Sequence, residues 1–150
     1  LTSSVSGIFG QFGQSAYGAA KMGMLGLMNV LALEGRSHGI KINCLSPGAD
    51  TRMTALDKEL GIDPNNPRPQ SHPKLVTPIA LFLASDDAPN GMVIHGLSGR
   101  YLRSETLANK GIALDPDALA EDLISNIEHV LDMSSAKALT EPGNIALLGK

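Results

Sequence analysis

Three side chains within the first 21 residues have the types and spacing that proton transfer to an oxygen atom requires. Tyr17 and Lys21 are four residues apart, and in a helix this spacing places both side chains on one face, one turn apart. A phenol has a pKa of about 10 in water, so it needs a nearby cation to exchange protons at neutral pH. Lys21 is a candidate for that cation. Ser4, thirteen residues before Tyr17, is a candidate to hydrogen-bond the substrate oxygen.

The residues around this trio predict an α/β fold. Ala, Leu and Met dominate residues 15–36, which predicts a helix with Ser15 as its N-cap. Gly39 ends that pattern, and a short apolar run over residues 40–45 predicts a buried strand that stops at a sharp Pro47-Gly48 turn. A long helix that leads into a buried strand is typical of α/β architecture.

The remaining segments give weaker patterns. Residues 1–5 are interpreted as the end of a strand plus a loop, and Gly7, Gly10 and Gly13 are expected to prevent any regular element after it. A long connection rich in Pro and Asn follows Thr51. The further expected elements are a short helix at 53–60, a helix at 74–84, a turn at 86–90, a strand at 92–95, a strand or extended segment at 101–107, an amphipathic helix at 117–131 and a loosely docked tail at 134–150.

The composition favours a globular protein that acts on small molecules. The chain has 150 residues, 43% hydrophobic and 18% charged, with a net charge of −3. This balance gives no basic surface for nucleic acid. We find no secretion signal and expect no membrane span, and Cys44, the only cysteine, is expected to be a buried, inert thiol in a reducing compartment, by default the cytoplasm. None of the four histidines shows metal-ligand spacing, so we expect surface or satisfied histidines and predict no metal.

Together, these segments resemble the active-site half of the short-chain dehydrogenase/reductase family. The resemblance rests on Ser3-Ser4, on Tyr17 with Lys21, on residues 42–48 and on residues 81–86, and it covers residues 1–96. It implies a partial Rossmann-type fold, the C-terminal half of a doubly wound parallel sheet. Residues 97–150 would then form a C-terminal extension with one amphipathic helix. A first residue other than Met fits the expectation that the chain was cut from a longer protein.

The resemblance also implies catalytic roles. Tyr17 would be the general acid/base, Lys21 would stabilise its phenolate and bind the nicotinamide ribose, and Ser4 would anchor the substrate carbonyl. The implied reaction is hydride transfer between a cofactor, NAD or NADP, and a secondary alcohol or ketone. Residues 10–14, 31–35 and 51–54 are similar to the 3-hydroxyacyl-CoA dehydrogenase-like branch of the family, including the dehydrogenase part of peroxisomal multifunctional enzymes. This similarity favours a 3-hydroxyacyl thioester substrate and allows a peroxisomal location in a eukaryote.

For the cofactor, the resemblance places Pro47 and Gly48 beside the nicotinamide. The family usually has a Thr five residues after this Pro, where Arg52 stands here, so Thr51 is the expected substitute. The glycine-rich phosphate loop of the family is missing. Because the Gly7 to Gly13 run lacks a Gly-x-Gly turn, we interpret it as a flexible loop on the substrate side, and we expect this chain alone to be inactive.

The helix at 15–36 is apolar nearly all round, which predicts that it is buried on two sides. One side would meet the sheet and the other a second copy of the protein, so we expect a homo-oligomer. A non-catalytic oligomerising fragment that cannot hold the cofactor is the alternative hypothesis.

Overall fold

The computed structural model describes residues 1–51 and 71–139, and these fall into two compact units, Leu1–Ser104 and a second that begins at Glu105. The helix expected at 53–60 lies outside the described residues. The first unit contains α1 (Val5–Phe9), α2 (Ser15–Glu34), β1 (Cys44–Gly48), α3 (Thr77–Leu83), β2 (Val93–Leu97) and β3 (Arg100–Ser104). Short 3-10 turns at Arg36–His38 and Pro73–Leu75 follow α2 and precede α3.

The sheet of the first unit is mainly parallel, as expected for a partial Rossmann-type fold. β1 pairs in parallel with β2, with Ser46 opposite His95. On the other side of β1, Thr2 forms a parallel bridge with Leu45. Parallel neighbours need a crossover connection, and α1 with α2 supplies it between residue 3 and β1. The carboxyl ends of these strands therefore meet at one edge of the sheet.

The last strand of this sheet is antiparallel, which the sequence analysis did not predict. β3 pairs antiparallel with β2 through a two-residue turn, Ser98-Gly99. Both turn residues have positive φ, 49° and 81°, as a hairpin turn of this length requires. The Ser98-Gly99 pair was the available signal for this hairpin, because such a dipeptide marks a turn.

Helix α2 covers one face of the sheet. Leu25 and Met28 of this helix pack with Cys44 and Val93 from β1 and β2 to form the core. By length and composition, with a mean hydropathy of 1.2, α2 is also apolar enough to cross a membrane, although core helices of soluble proteins pass the same test. The helix begins at Ser15, but Gln14 rather than Ser15 is its N-cap, and it ends at Glu34.

The expectation that the glycines at 7, 10 and 13 prevent regular structure was wrong for α1. Ser4 accepts a hydrogen bond from the Ser6 backbone N–H and caps this short helix. Gly7 lies inside the helix, and Gly10 ends it with a φ of 82°. The glycines therefore interrupt regular structure only after Phe9.

Other boundaries differ locally from the expected ones. Pro47 and Gly48 continue β1 instead of turning the chain, because both residues remain paired with β2. The helix expected at 74–84 is divided into a 3-10 turn and α3, and the strand expected at 92–95 extends to Leu97.

The second unit contains β4 (Leu107–Ala108), α4 (Ala120–Ser125), α5 (Ile127–Leu131) and β5 (Lys137–Ala138). β4 and β5 pair antiparallel, so part of the tail after residue 134 is ordered. The single helix expected at 117–131 is interrupted at Asn126, whose backbone leaves the helical region with φ −114° and ψ 12°. Asn109 donates to the carbonyls of Val130 and Asp132 and so holds the end of α5.

Candidate active site

The structure brings Tyr17 and Lys21 together as their spacing predicts. Both lie in the first half of α2, and the Lys21 Nζ is 5.7 Å from the centroid of the Tyr17 ring. The ammonium group also donates a hydrogen bond of 3.3 Å to the backbone carbonyl of Thr2. The tyrosine side chain is 47% exposed, so its hydroxyl is accessible to a ligand. A phenol beside a fixed cation is a suitable pair for exchanging a proton with a bound molecule.

Ser4 lies where the strand segment of residues 1–3 passes into α1. Its Oγ accepts a hydrogen bond of 3.2 Å from the Ser6 N–H. Because a hydroxyl can both accept and donate, this bond does not engage the O–H proton. The side chain can therefore cap α1 and donate to a substrate oxygen at the same time.

Close packing of two glycines joins α1 to α2. A β-carbon built on Gly7 would lie 2.8 Å from both the β-carbon of Lys21 and the backbone nitrogen of Met22. A β-carbon on Gly18 would lie 3.3 Å from the carbonyl oxygen of Ser6. Only the absence of these atoms allows the element that starts at Ser4 to lie directly against the turn that carries Lys21.

Pro47 and Gly48 end β1 at the same edge of the sheet as Ser4. Gly48 is opposite Leu97, and a β-carbon there would lie 2.6 Å from a Leu97 methyl group. A side chain at this position would therefore require the Leu97 side chain to move. Thr51, three residues further on, is exposed at the end of the described part of this segment.

A pair of residues that the sequence analysis missed holds the backbone after Gly48. The hydroxyl of Ser71 donates to the Gly48 carbonyl at 2.7 Å, and its N–H donates to the Asp50 carboxylate at 2.8 Å. The Asp50 N–H donates in return to the Ser71 carbonyl at 2.6 Å. Twenty-one positions separate the two residues, and no local pattern in the sequence signals the pairing.

Two buried polar side chains lie next to each other on the neighbouring strands β1 and β2. Ser46 and His95, paired in register, are both fully buried. The His95 Nε2 is 2.6 Å from the Ser104 Oγ, whereas, among the described residues, neither its Nδ1 nor the Ser46 Oγ has a hydrogen-bond partner. Burial lowers the pKa of His95 below its ordinary value of 6.5 because it disfavours the charged ring. The expectation of a surface or fully satisfied histidine was therefore wrong at this position.

Cys44 is fully buried, as expected, and its Sγ lies 3.4 Å from the Met24 carbonyl oxygen. Burial raises the pKa of this thiol because it disfavours the charged thiolate. Within residues 1–51 and 71–139, no three histidine, cysteine or acidic side chains lie together as metal ligands would.

The donor set at this edge fits a nicotinamide nucleotide. A ribose offers hydroxyl groups that an ammonium and a phenol can bind, and Tyr17 and Lys21 present both on the exposed side of α2. A Gly-x-Gly turn for the pyrophosphate is absent from the whole sequence.

A mainly parallel sheet with α2 packed on it, and polar groups at the carboxyl edge, is the arrangement of a Rossmann-type α/β protein. Solved structures agree with this class. The full-length peroxisomal multifunctional enzyme type 2 of Drosophila melanogaster superimposes with a TM-score of 0.77 at 32% identity, covering 97% of this chain and 26% of that one.

The sequence comparisons identify the family. Residues 1–62 match the family model described as short chain dehydrogenase. A putative short-chain type dehydrogenase/reductase of Mycobacterium tuberculosis is 36% identical over 138 residues, which are 91% of this chain and 46% of the relative. An acetoacetyl-CoA reductase of Allochromatium vinosum is 42% identical over 91 residues, 57% of this chain and 37% of that protein. The chain belongs to the short-chain dehydrogenase/reductase family, and it spans about half the length, or less, of these relatives.

Proposed function

We propose that this chain supplies the acid/base residues of an NAD- or NADP-dependent oxidoreductase that acts on a secondary alcohol or ketone. The observation that carries the proposal is the position of the Lys21 ammonium, 5.7 Å from the ring centroid of the exposed Tyr17. Ser4 begins the element that packs directly against the turn containing Lys21. Family membership supports the same reaction class.

In the direction of reduction, the Ser4 hydroxyl donates a hydrogen bond to the substrate carbonyl oxygen and holds it near Tyr17. Tyr17 gives its proton to this oxygen, and Lys21 stabilises the phenolate that remains. In this proposal Lys21 would also hold the ribose of a bound NAD or NADP, and Pro47, Gly48 and Thr51 would border its nicotinamide. The bound cofactor would supply the hydride for the reduction.

We further propose a 3-hydroxyacyl thioester, or the matching ketone, as the substrate. Relatives named acetoacetyl-CoA reductase and peroxisomal multifunctional enzyme support this class. The location proposed is the cytoplasm, or the peroxisome in a eukaryote, where the relatives of that name are found.

The partners in this proposal are the small-molecule substrate and further copies of the protein, without nucleic acid or membrane. Oligomerisation would use the outer face of α2. On this face, large apolar side chains of the first unit remain exposed: Met22, Leu27, Val30 and Leu33. Gly23 and Gly26 have open space around them, which permits the close approach of a second helix. A two-fold contact between copies would bury these residues on both sides.

The decisive experiment is Tyr17→Phe in the full-length protein that contains this chain, assayed with acetoacetyl-CoA and NADH or NADPH. We expect the rate to fall more than tenfold, a loss above about 1.4 kcal/mol of transition-state stabilisation, while cofactor affinity changes little. The matched control is Tyr101→Phe, which removes a similarly exposed hydroxyl that donates to the Leu75 carbonyl. Retention of more than about a tenth of the rate in Tyr17→Phe would exclude the acid/base role.

The isolated 150-residue chain should bind NAD(H) weakly and show no dehydrogenase activity. No Gly-x-Gly turn is available to hold the pyrophosphate at a helix N-terminus. Titration calorimetry with NADH measures this directly, and micromolar affinity would show that the phosphate site lies within this chain.

A further inference from the structure

We propose that Ser3 is a positioning residue that sets the distance between Ser4 and Lys21, a role that rests on the proposed dehydrogenase function. The Ser3 hydroxyl donates a hydrogen bond of 2.8 Å to the backbone carbonyl of Lys21. Ser3 is only 2% exposed, so this bond is protected from water. It connects the residue directly before Ser4 to the helical turn that carries the catalytic ammonium.

Ser3 is itself fixed to the sheet. Its backbone N–H donates to the Leu45 carbonyl at 2.8 Å, and the Leu45 N–H donates to the Leu1 carbonyl at 2.9 Å. The position of the strand segment is thus set by β1. The hydrogen bond from the Ser3 side chain then fixes α2 relative to this strand segment. The Lys21 carbonyl can accept it because a helical carbonyl oxygen has a second lone pair that its own helix does not use.

A second bond runs in the opposite direction between the same two elements. The Lys21 Nζ donates to the Thr2 carbonyl at 3.3 Å. The Thr2 carbonyl therefore accepts a hydrogen bond from the Lys21 ammonium, while the Ser3 hydroxyl donates one to the Lys21 backbone carbonyl. The two bonds restrain both the turn of α2 and the side-chain direction of Lys21.

The surrounding packing leaves little freedom for another arrangement. Gly7, three residues after Ser4, is in contact with the Lys21 β-carbon. If the Ser3 bond were lost, the carbonyl of Lys21 would lose a buried partner, and the contact at Gly7 would be left to oppose small shifts of α2 relative to Ser4. A displacement of about 1 Å in a catalytic group can cost about 100-fold in rate.

The test compares Ser3→Ala with Ser3→Thr and Ser6→Ala in the full-length protein. Ser6 is the matched control, since it is also a buried serine, within α1, but its hydroxyl donates to the Gln11 side chain at 2.8 Å and not to α2. We expect Ser3→Ala to lower kcat for acetoacetyl-CoA reduction at least tenfold. Its pH–rate profile for alcohol oxidation should move to higher pH, because a displaced ammonium stabilises the phenolate less. Ser3→Thr, which keeps the hydroxyl, should restore both.

A purely structural serine would change stability without moving the pH–rate profile. Equal profiles for Ser3→Ala, Ser6→Ala and the wild type would therefore overturn the positioning role while leaving the proposed function intact. An inactive wild-type protein would overturn the proposed function, and with it the role of Ser3. If Ser3→Ala does not fold, Ser3→Cys preserves the volume with a weaker donor, and an unchanged profile in that variant contradicts the proposal in the same way.

Discussion

Gly7 and Lys21 lie in such close contact that a β-carbon on Gly7 would be 2.8 Å from the β-carbon of Lys21. The same atom would also be 2.8 Å from the Met22 backbone nitrogen, which cannot rotate away as a flexible side chain can. The glycine thus allows α1 and α2 to pack with Ser4 and Lys21 at their junction. Gly7, a residue type that usually interrupts helices, therefore lies in direct contact with the proposed catalytic Lys21.

We predict that Gly7→Ala separates α1 from α2. Overpacking of this kind costs about 1–3 kcal/mol, and the proposed activity should fall with it because Ser4 and Lys21 move apart. The control is Gly23→Ala, also in a helix but with no atom of the same subunit within 4 Å of the added β-carbon. Because Gly23 lies on the proposed oligomer face, both variants are compared at a protein concentration at which the subunits are dissociated. That change should leave stability equal or raise it by up to about 1 kcal/mol, as helix propensity predicts. Urea denaturation of both variants measures the difference, and equal stabilities would contradict the packing argument.

Parts of the site that depend on local sequence were predictable, whereas parts that depend on tertiary contacts such as Gly7 with Lys21 were not. The Tyr17 and Lys21 pairing follows from a four-residue spacing in a strongly helical segment, so local periodicity was sufficient. Helix α1 was missed because its glycine is tolerated for a tertiary reason, the proximity of Lys21, that no local pattern contains. The long helix at 117–131 was also predicted from periodicity alone, and the interruption at Asn126 was not visible there.

The other features that could not be predicted from the sequence depend on contacts between residues that are far apart in the chain. Asp50 and Ser71 fix the end of β1 across 21 positions, and each residue alone resembles an ordinary loop residue. His95 was expected to be a surface or satisfied histidine, because a lone histidine gives no local signal for a buried ring nitrogen without a partner. Its environment is created by β1, β3 and the ring of Phe9, which stacks on the imidazole at 5.8 Å between centroids.

The buried His95 predicts a loss of stability in mild acid. Its pKa in the folded state is lowered by burial from the ordinary value of 6.5, which the unfolded chain retains. Above pH 6.5 the ring is neutral in both states and contributes no penalty. As the pH falls below 6.5, the unfolded state takes up the proton first, so the free energy of unfolding decreases until the folded-state pKa is reached.

Urea titrations at pH 7.5 and at about pH 5.5 test this prediction, with His95→Gln as the variant that removes the titrating ring. We expect the wild type to lose stability between these pH values and the variant to lose less. His38→Gln replaces an exposed histidine and is the control. An identical pH dependence in the wild type and His95→Gln would show that another group is responsible.

The last prediction concerns assembly through α2, for which the structure decides between two neighbouring residues. Leu27 is 44% exposed, whereas Met28 is 2% exposed and packs in the core. Leu27→Glu should therefore dissociate the proposed homo-oligomer into folded subunits, because it places a charge on each side of a two-fold contact. Met28→Glu should instead unfold the protein, since it buries an unpaired charge beside Cys44 and Val93. Leu81→Glu, the same substitution at a leucine of α3 that is 66% exposed, is the control for a general effect of surface charge. Light scattering at micromolar concentration gives the mass of each variant. A Leu27→Glu variant with the mass of the wild-type oligomer would exclude this face of α2 as the contact.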